Sequence, residues 1–107
     1  MFFKRKAQKR KRDNLLLLQS LNGREVKYVS VRDPDTYSET IIGKYGYINV
    51  YGDKLFITCE GKEVFSHPLE SIKVGELMSL DGVNLRYFDT EQNKELTVVA
   101  YYKYHRK

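Results

Sequence analysis

The pattern of apolar and polar positions divides the chain at Gly23. Ahead of it, Asp13 or Asn14 can cap a helix, and Asn22-Gly23 supplies the left-handed residue that ends one. Between these signals three leucines recur at helical spacing, Leu15, Leu18 and Leu21. The pattern therefore predicts one short helix over residues 14–22.

After Gly23 the chain has the pattern of short strands joined by turns. Residues 26–32 are rich in β-branched and aromatic side chains and end at Asp33-Pro34-Asp35, where proline removes a donor from the ladder. Four further apolar segments, 40–42, 47–51, 55–59 and 63–66, are separated by Gly43, Gly52-Asp53 and Glu60-Gly61. This spacing predicts a meander of antiparallel strands.

The second half continues the same pattern from residue 72 onward. Asp81-Gly82 suits a type I′ hairpin turn, because both central positions of that turn need positive φ. Residues 83–87 alternate, which places Asn84 and Arg86 on the solvent face. The last segment, 96–104, has large side chains on both faces, so we expect a central or doubly covered strand.

Together these segments predict a mainly β domain of about seven antiparallel strands preceded by one short helix. A small, partly open β-barrel and a two-sheet sandwich both fit the pattern. The chain of 107 residues has room for one such domain, which we assign to residues 13–107. Residues 1–12 are assigned to a basic, disordered tail.

The order of a short helix, Asn22-Gly23 and bent strands over residues 15–77 resembles the Sm-like small barrel, a family whose rings bind RNA. The second Sm motif has Ile-Arg-Gly or Val-Arg-Gly, where this chain has Ile72-Lys73-Val74-Gly75. The resemblance is architectural, and it implies a small barrel without assigning functional residues.

Composition narrows the cellular setting. The longest apolar run, residues 15–18, is far shorter than the ~20 residues of a spanning helix, so we expect no transmembrane segment and no secretory leader. Cys59 is the only cysteine, which excludes an internal disulfide and favours a reducing compartment. We therefore predict a cytoplasmic protein.

The formal charge of +5 belongs to the ends of the chain. Between Asp13 and Tyr102 there are only 9 basic residues against 14 acidic ones, a net charge of −5. The other ten basic residues form the predicted anion-binding set, which is Lys4, Arg5, Lys6, Lys9, Arg10, Lys11, Arg12, Lys103, Arg106 and Lys107. Such residues release counterions when they neutralise phosphates, so a nucleic acid is the favoured partner.

Two other interpretations of the basic tail stay open. It is also suited to an anionic membrane surface, with Phe2 and Phe3 as shallow apolar anchors. Alternatively, it is a solvated segment that aids solubility. Tyr102 and Tyr104, which lie beside the C-terminal cations, are candidates for aromatic contacts with bases.

Candidate catalytic chemistry is sparse. His67 and His105 are the only histidines, and neither they nor Cys59 have the spacing of a metal site or a nucleophile–base pair. We therefore expect a non-enzymatic binding module without metal or cofactor, whose basic N-terminal arm contacts an anionic partner. The alternative is a protein-interaction or assembly domain that uses the acidic body or an exposed strand edge.

Overall fold

A computed structural model describes residues 12–77 and 81–103 of the chain. One helix, α1, includes residues 12–20, and a 3-10 turn spans Leu69–Ser71. The strands are β1 (Arg24–Asp33), β2 (Ser38–Tyr51), β3 (Lys54–Cys59), β4 (Lys62–Pro68), β5 (Lys73–Glu76), β6 (Gly82–Asp89) and β7 (Lys94–Tyr102). The predicted class, mainly β with a short N-terminal helix, is confirmed. The predicted tail, apart from Arg12, lies outside the described residues.

All seven strands belong to one antiparallel sheet with the order β4-β3-β2-β1-β7-β6-β5. The sheet curls into a half-barrel, as the twist of neighbouring strands favours. Its two outermost strands, β4 and β5, are consecutive in the chain and are joined through the turn at Leu69–Ser71. The structure therefore has the partly open barrel and not the two-sheet sandwich.

The hydrophobic core lies on the concave face of the half-barrel. Alternate residues along the strands point into it. Fully buried members of this core are Val26, Val29, Ile48, Leu55, Ile57, Val83, Leu85, Val98 and Ala100. Leu18 and Leu21, at and just after the end of α1, are 0% and 3% exposed and belong to the same cluster.

Two asparagines tie α1 to separate parts of the sheet. Asn14 Nδ2 donates to the carbonyl of Ile72 at 2.8 Å, and its Oδ1 accepts from the backbone N–H of Val74 at 2.9 Å. It thus contacts the free edge of β5 much as a neighbouring strand would. Asn22 Oδ1 accepts from the N–H of Val50 in β2 at 2.8 Å. Within the described residues, no helix has both the length and the apolar character to cross a membrane.

The long strand β2 corrects the expectation of two strands separated at Gly43. A side chain at Gly46 would place its Cβ 2.0 Å from the carbonyl oxygen of Thr58, and one at Gly43 would meet Cys59 at 2.8 Å. Both glycines therefore allow β2 to pass close to β3. Tyr45, between them, has a φ of 55°, so the strand bends there but continues.

The predicted type I′ turn at Asp81-Gly82 is wrong. Gly82 is the first residue of β6, it pairs with Tyr101, and neither it nor Asp81 has a positive φ. A Cβ at Gly82 would lie 2.4 Å from the carbonyl oxygen of Ala100. This glycine is therefore required for close approach of β6 to β7, whereas the connection from β5 is longer than two residues.

The prediction that the last strand is central is confirmed, because β7 lies between β1 and β6. Its side chains are buried on both faces: Val98 points into the concave core, and its neighbour Val99 on the convex face is also 0% exposed. Ser30, also convex, is equally buried. The convex face thus contains a second, smaller packed layer, on which the candidate site is built.

Candidate anion-binding site

Three basic side chains form one row across the convex face, which we call the cation row. Arg32 in β1 is opposite Thr97 in β7, Thr97 is opposite Arg86 in β6, and Arg86 is opposite Lys73 in β5. Residues at paired positions point to the same face of a sheet, and adjacent strands lie about 4.8 Å apart. The cation row is therefore about 14 Å long, the width of three strand spacings.

A cavity of about 420 Å³ opens on the cation row and is lined by its three cations and by Thr97 between them. Gly75 in its lining has no atom within 4 Å of where a Cβ would stand, so the space above it is open. Asn84 also lines it, and Asn84 Oδ1 is buried with no hydrogen-bond partner among the described residues. Buried polar atoms are normally paired, so this amide oxygen is an unusual feature of the cavity wall.

Arg32 is held in place by the packed layer beneath it. Its Nε lies 3.4 Å from Glu39 Oε1, and its Nη2 donates to the hydroxyl of Tyr101 at 3.1 Å. Tyr101 in turn stacks on Tyr28 with ring centroids 4.4 Å apart. A hydrogen bond from Ser30 and the charge of Arg32 lower the pKa of Glu39, so the partner of Arg32 stays ionised. The guanidinium is thus oriented before any ligand arrives.

The other two cations are less constrained. Arg86 lies 3.8 Å from Glu95, and both side chains are about half exposed, so this ion pair contributes only about 0–1 kcal/mol. Lys73 is exposed and has no ion-pair partner among the residues that the structure describes. Both are therefore available to an anion.

A second cavity of about 310 Å³ adjoins the first and shares Arg32 and Thr97 with it. Its other lining residues come from the β1–β2 turn and the strand ends beside it, and they are Asp33, Pro34, Tyr37, Ser38 and Glu39. The ring of Tyr37 is free, since this residue is 92% exposed. The charged residues that line the first cavity are all cations. The lining of the second cavity combines one cation with two carboxylates and an aromatic ring.

The residues predicted from sequence as the anion-binding set are mostly outside the described chain. Arg12 is exposed in α1, and Lys103 Nζ lies 3.2 Å from Glu25 Oε2. The others are not described, so their role stays a prediction: Lys4, Arg5, Lys6, Lys9, Arg10, Lys11, Arg106 and Lys107. None of the ten is a member of the cation row.

Of the two predicted aromatic contacts, Tyr104 is also outside the described residues. Tyr102 lies on the concave face and is 5% exposed, with the Arg24 guanidinium 4.1 Å from its ring centroid. This cation–π contact and the core around it leave the ring little surface for a ligand. The exposed tyrosines of β2, which are Tyr45, Tyr47 and Tyr51, do not line either cavity of the site.

Reactive side chains lie apart from the cation row. Burial raises the pKa of the Cys59 thiol, which is 3% exposed in the core. His67 packs beside Phe65 and Tyr87, with centroid distances of 6.2 and 5.1 Å, and burial lowers its pKa. Within residues 12–77 and 81–103 no three His, Cys, Asp or Glu side chains are grouped as a metal site. The chemical groups at the cation row are therefore positively charged side chains that donate hydrogen bonds.

Sequence reasoning missed the cation row because it assigned anion binding to the basic chain ends and considered only the net charge of the body, which is −5. Three of its nine basic residues, Arg32, Arg86 and Lys73, are brought together by the sheet. The alternation around Arg86 did place that side chain on the solvent face. Its two cationic neighbours depend on the pairing of distant strands, for which one sequence contains no local signal.

No protein-family model, curated protein or solved structure matches this chain.

Proposed function

We propose that this protein is a non-enzymatic, cytoplasmic binding module for a polyanion, and that the favoured partner is a nucleic acid. The observation that supports the proposal is the cation row with its open cavity. Three cations along about 14 Å suit a chain of phosphates better than a single small anion, which would touch only one or two of them. The basic N-terminal segment would add further phosphate contacts to those of the row.

Binding to phosphates has a characteristic dependence on salt. Each phosphate contact contributes about −0.9 to the slope of log K against log salt for duplex DNA and about −0.7 for single strands. Because the cation row has three members, we expect it to contribute a slope of about −2 to −3, with the N-terminal segment steepening it further.

The decisive experiment compares two double variants with the same loss of charge. Lys73→Gln with Arg86→Gln removes two members of the row, whereas Lys54→Gln with Lys62→Gln removes two exposed cations of β3 and β4. Fluorescence anisotropy with a labelled oligonucleotide over a salt series should show a slope shallower by about 1.4–1.8 for the row variant alone. Equal slopes for the two variants would mean that only net charge matters and would overturn the site.

The N-terminal segment is tested separately, by replacing its basic residues up to Lys11 with glutamine in the full chain. If the segment contacts phosphate, affinity falls and the salt slope becomes shallower again. Unchanged binding of this variant would restrict the function to the cation row.

A second candidate function is docking of a protein partner at a strand edge, with the basic tail serving solubility or a membrane surface. It is favoured by β4, which pairs with β3 on one side only among the described strands. Unpaired edges are ready templates for another strand. A concentration series in analytical ultracentrifugation tests the self-associating form of this function, which a strict monomer would exclude.

A further inference from the structure

We infer that the two adjoining cavities form one groove that holds a nucleotide of a single-stranded nucleic acid, with its phosphate on the cation row and its unpaired base on Tyr37. This inference rests on the proposed function, since it names the form of nucleic acid that the same convex face would select. It makes the β1–β2 turn part of the binding surface.

The two cavities meet at Arg32, the cation of the site that has the most side-chain contacts. Arg32 and Thr97 line both of them, so a ligand that extends from one to the other passes over these side chains. The contacts of Arg32 with Glu39 and Tyr101 use its Nε and Nη2. Neither contact uses Nη1, and an oriented guanidinium at this junction suits a phosphate that links two nucleotides.

The charges of the two cavities define which part of a nucleotide each one takes. The first has cations and no carboxylate in its lining, whereas the second has Asp33 and Glu39 beside Arg32. A phosphate is therefore more favourable in the first cavity than in the second. The second cavity instead offers carboxylates that accept hydrogen bonds from amino groups of bases, next to the exposed ring of Tyr37.

Tyr37 is presented by a turn that is fixed by its own hydrogen bonds. Asp33 Oδ1 accepts from the N–H of Asp35 at 2.9 Å, its other carboxylate oxygen binds Lys94, and the hydroxyls of Thr36 and Ser38 are 2.8 Å apart. Tyr37 itself has a φ of 55°, a left-handed conformation that is unfavourable for a bulky aromatic residue. A strained backbone that displays an almost fully exposed ring is typical of a functional position.

This arrangement distinguishes single strands from duplexes. A base can lie on Tyr37 only if it is not stacked and paired within a helix, because in a duplex both of its faces are covered. Stacking on an aromatic side chain tolerates any base, since every base has a π-face. We therefore expect preference for single strands with little preference for sequence.

The test uses the full chain and a fluorescent single-stranded DNA of about 12 nucleotides, a length that spans a typical single-strand site, beside its duplex form. In Tyr37→Asn the ring is replaced by a residue that accepts positive φ. Single-strand affinity should fall about 5-fold to 150-fold, while duplex affinity stays the same. The melting temperature of the protein should be unchanged or higher. Tyr37→Phe should keep the affinity of the native chain, because it retains the ring.

Tyr51→Asn is the matched control, since Tyr51 is 82% exposed on the β2–β3 hairpin and lies outside both cavities. Equal effects of the two Asn variants, or equal affinity of the native chain for single strand and duplex, would overturn the inference. If the Lys73 and Arg86 double variant still loses binding in that case, the proposed function stands and only the groove fails. If that double variant binds as the native chain does, the proposed function fails as well.

Discussion

Gly46 is the position where a single methyl group should damage the fold most. An alanine there would bring its Cβ to 2.0 Å from the Thr58 carbonyl oxygen, whereas ordinary C···O contacts are about 3.3 Å. The strands β2 and β3 would have to separate by about 1 Å, which breaks the ladder around the Gly46–Cys59 pair. Loss of two ladder hydrogen bonds at about 1 kcal/mol each, with about 1–3 kcal/mol of overpacking, gives a cost of about 3–5 kcal/mol.

The prediction is checked by urea unfolding followed through tyrosine fluorescence, since the chain has nine tyrosines and no tryptophan. Gly75→Ala is the control, because a Cβ there meets nothing within 4 Å, and we expect it to be neutral or stabilising by up to about 1 kcal/mol. Gly43→Ala, which meets the Cys59 side chain at 2.8 Å, should lie between the two. If Gly46→Ala and Gly75→Ala unfold at the same urea concentration, β2 and β3 do not approach as described.

Two other predictions concern the helix and the buried histidine. Asn14→Ala should lower the free energy of unfolding by about 1–3 kcal/mol in the same urea assay, because it leaves the partly buried Ile72 carbonyl and Val74 N–H unpaired. Asn14→Asp should recover part of this stability. An unchanged urea midpoint for Asn14→Ala would refute the bridging role of this side chain. Burial lowers the pKa of His67 below its ordinary 6.5, so the unfolded chain binds more protons and stability falls as the pH drops from about 6.5 through the lowered pKa. Melting temperatures between about pH 7 and pH 5 should fall for the native chain and change less for His67→Phe, and parallel curves would contradict this assignment.

Local chemistry explains which parts of the fold were predictable from sequence. The left-handed conformation of Gly23, with a φ of 83°, is the one that its sequence position indicated, although α1 covers residues 12–20 and not 14–22 and so ends before Gly23. The central place of β7 followed from its large side chains on both faces. Gly43 and Gly82 misled the prediction because a glycine marks either a turn or a close approach, and only the partner strand decides which. That information is not local to the residues around each glycine.

The same distinction applies to the site. The excess of basic residues at the chain ends is visible in composition, so the prediction placed the anion-binding set at the termini and none of it in the acidic body. Strand pairing brings together residues that are distant in the chain. Arg32 and Lys73 are far apart in sequence, but they lie only three strand spacings apart on one face of the sheet. Local potential near the cation row therefore depends on the charges beside it, which are its three cations and the nearby Glu39 and Glu95, more than on the net charge of the body.

The position of α1 connects the fold to this site. Leu18 of α1 and Leu21 just after it pack into the core on the concave face, whereas the cation row and its cavity lie on the convex face. Lys73, the end of the cation row, lies on β5, a four-residue edge strand that pairs with β6 alone among the described strands. Asn14 binds the backbone on both sides of Lys73, at Ile72 and Val74. A helix packed on one face thereby holds in register the residue that completes the cation row on the other.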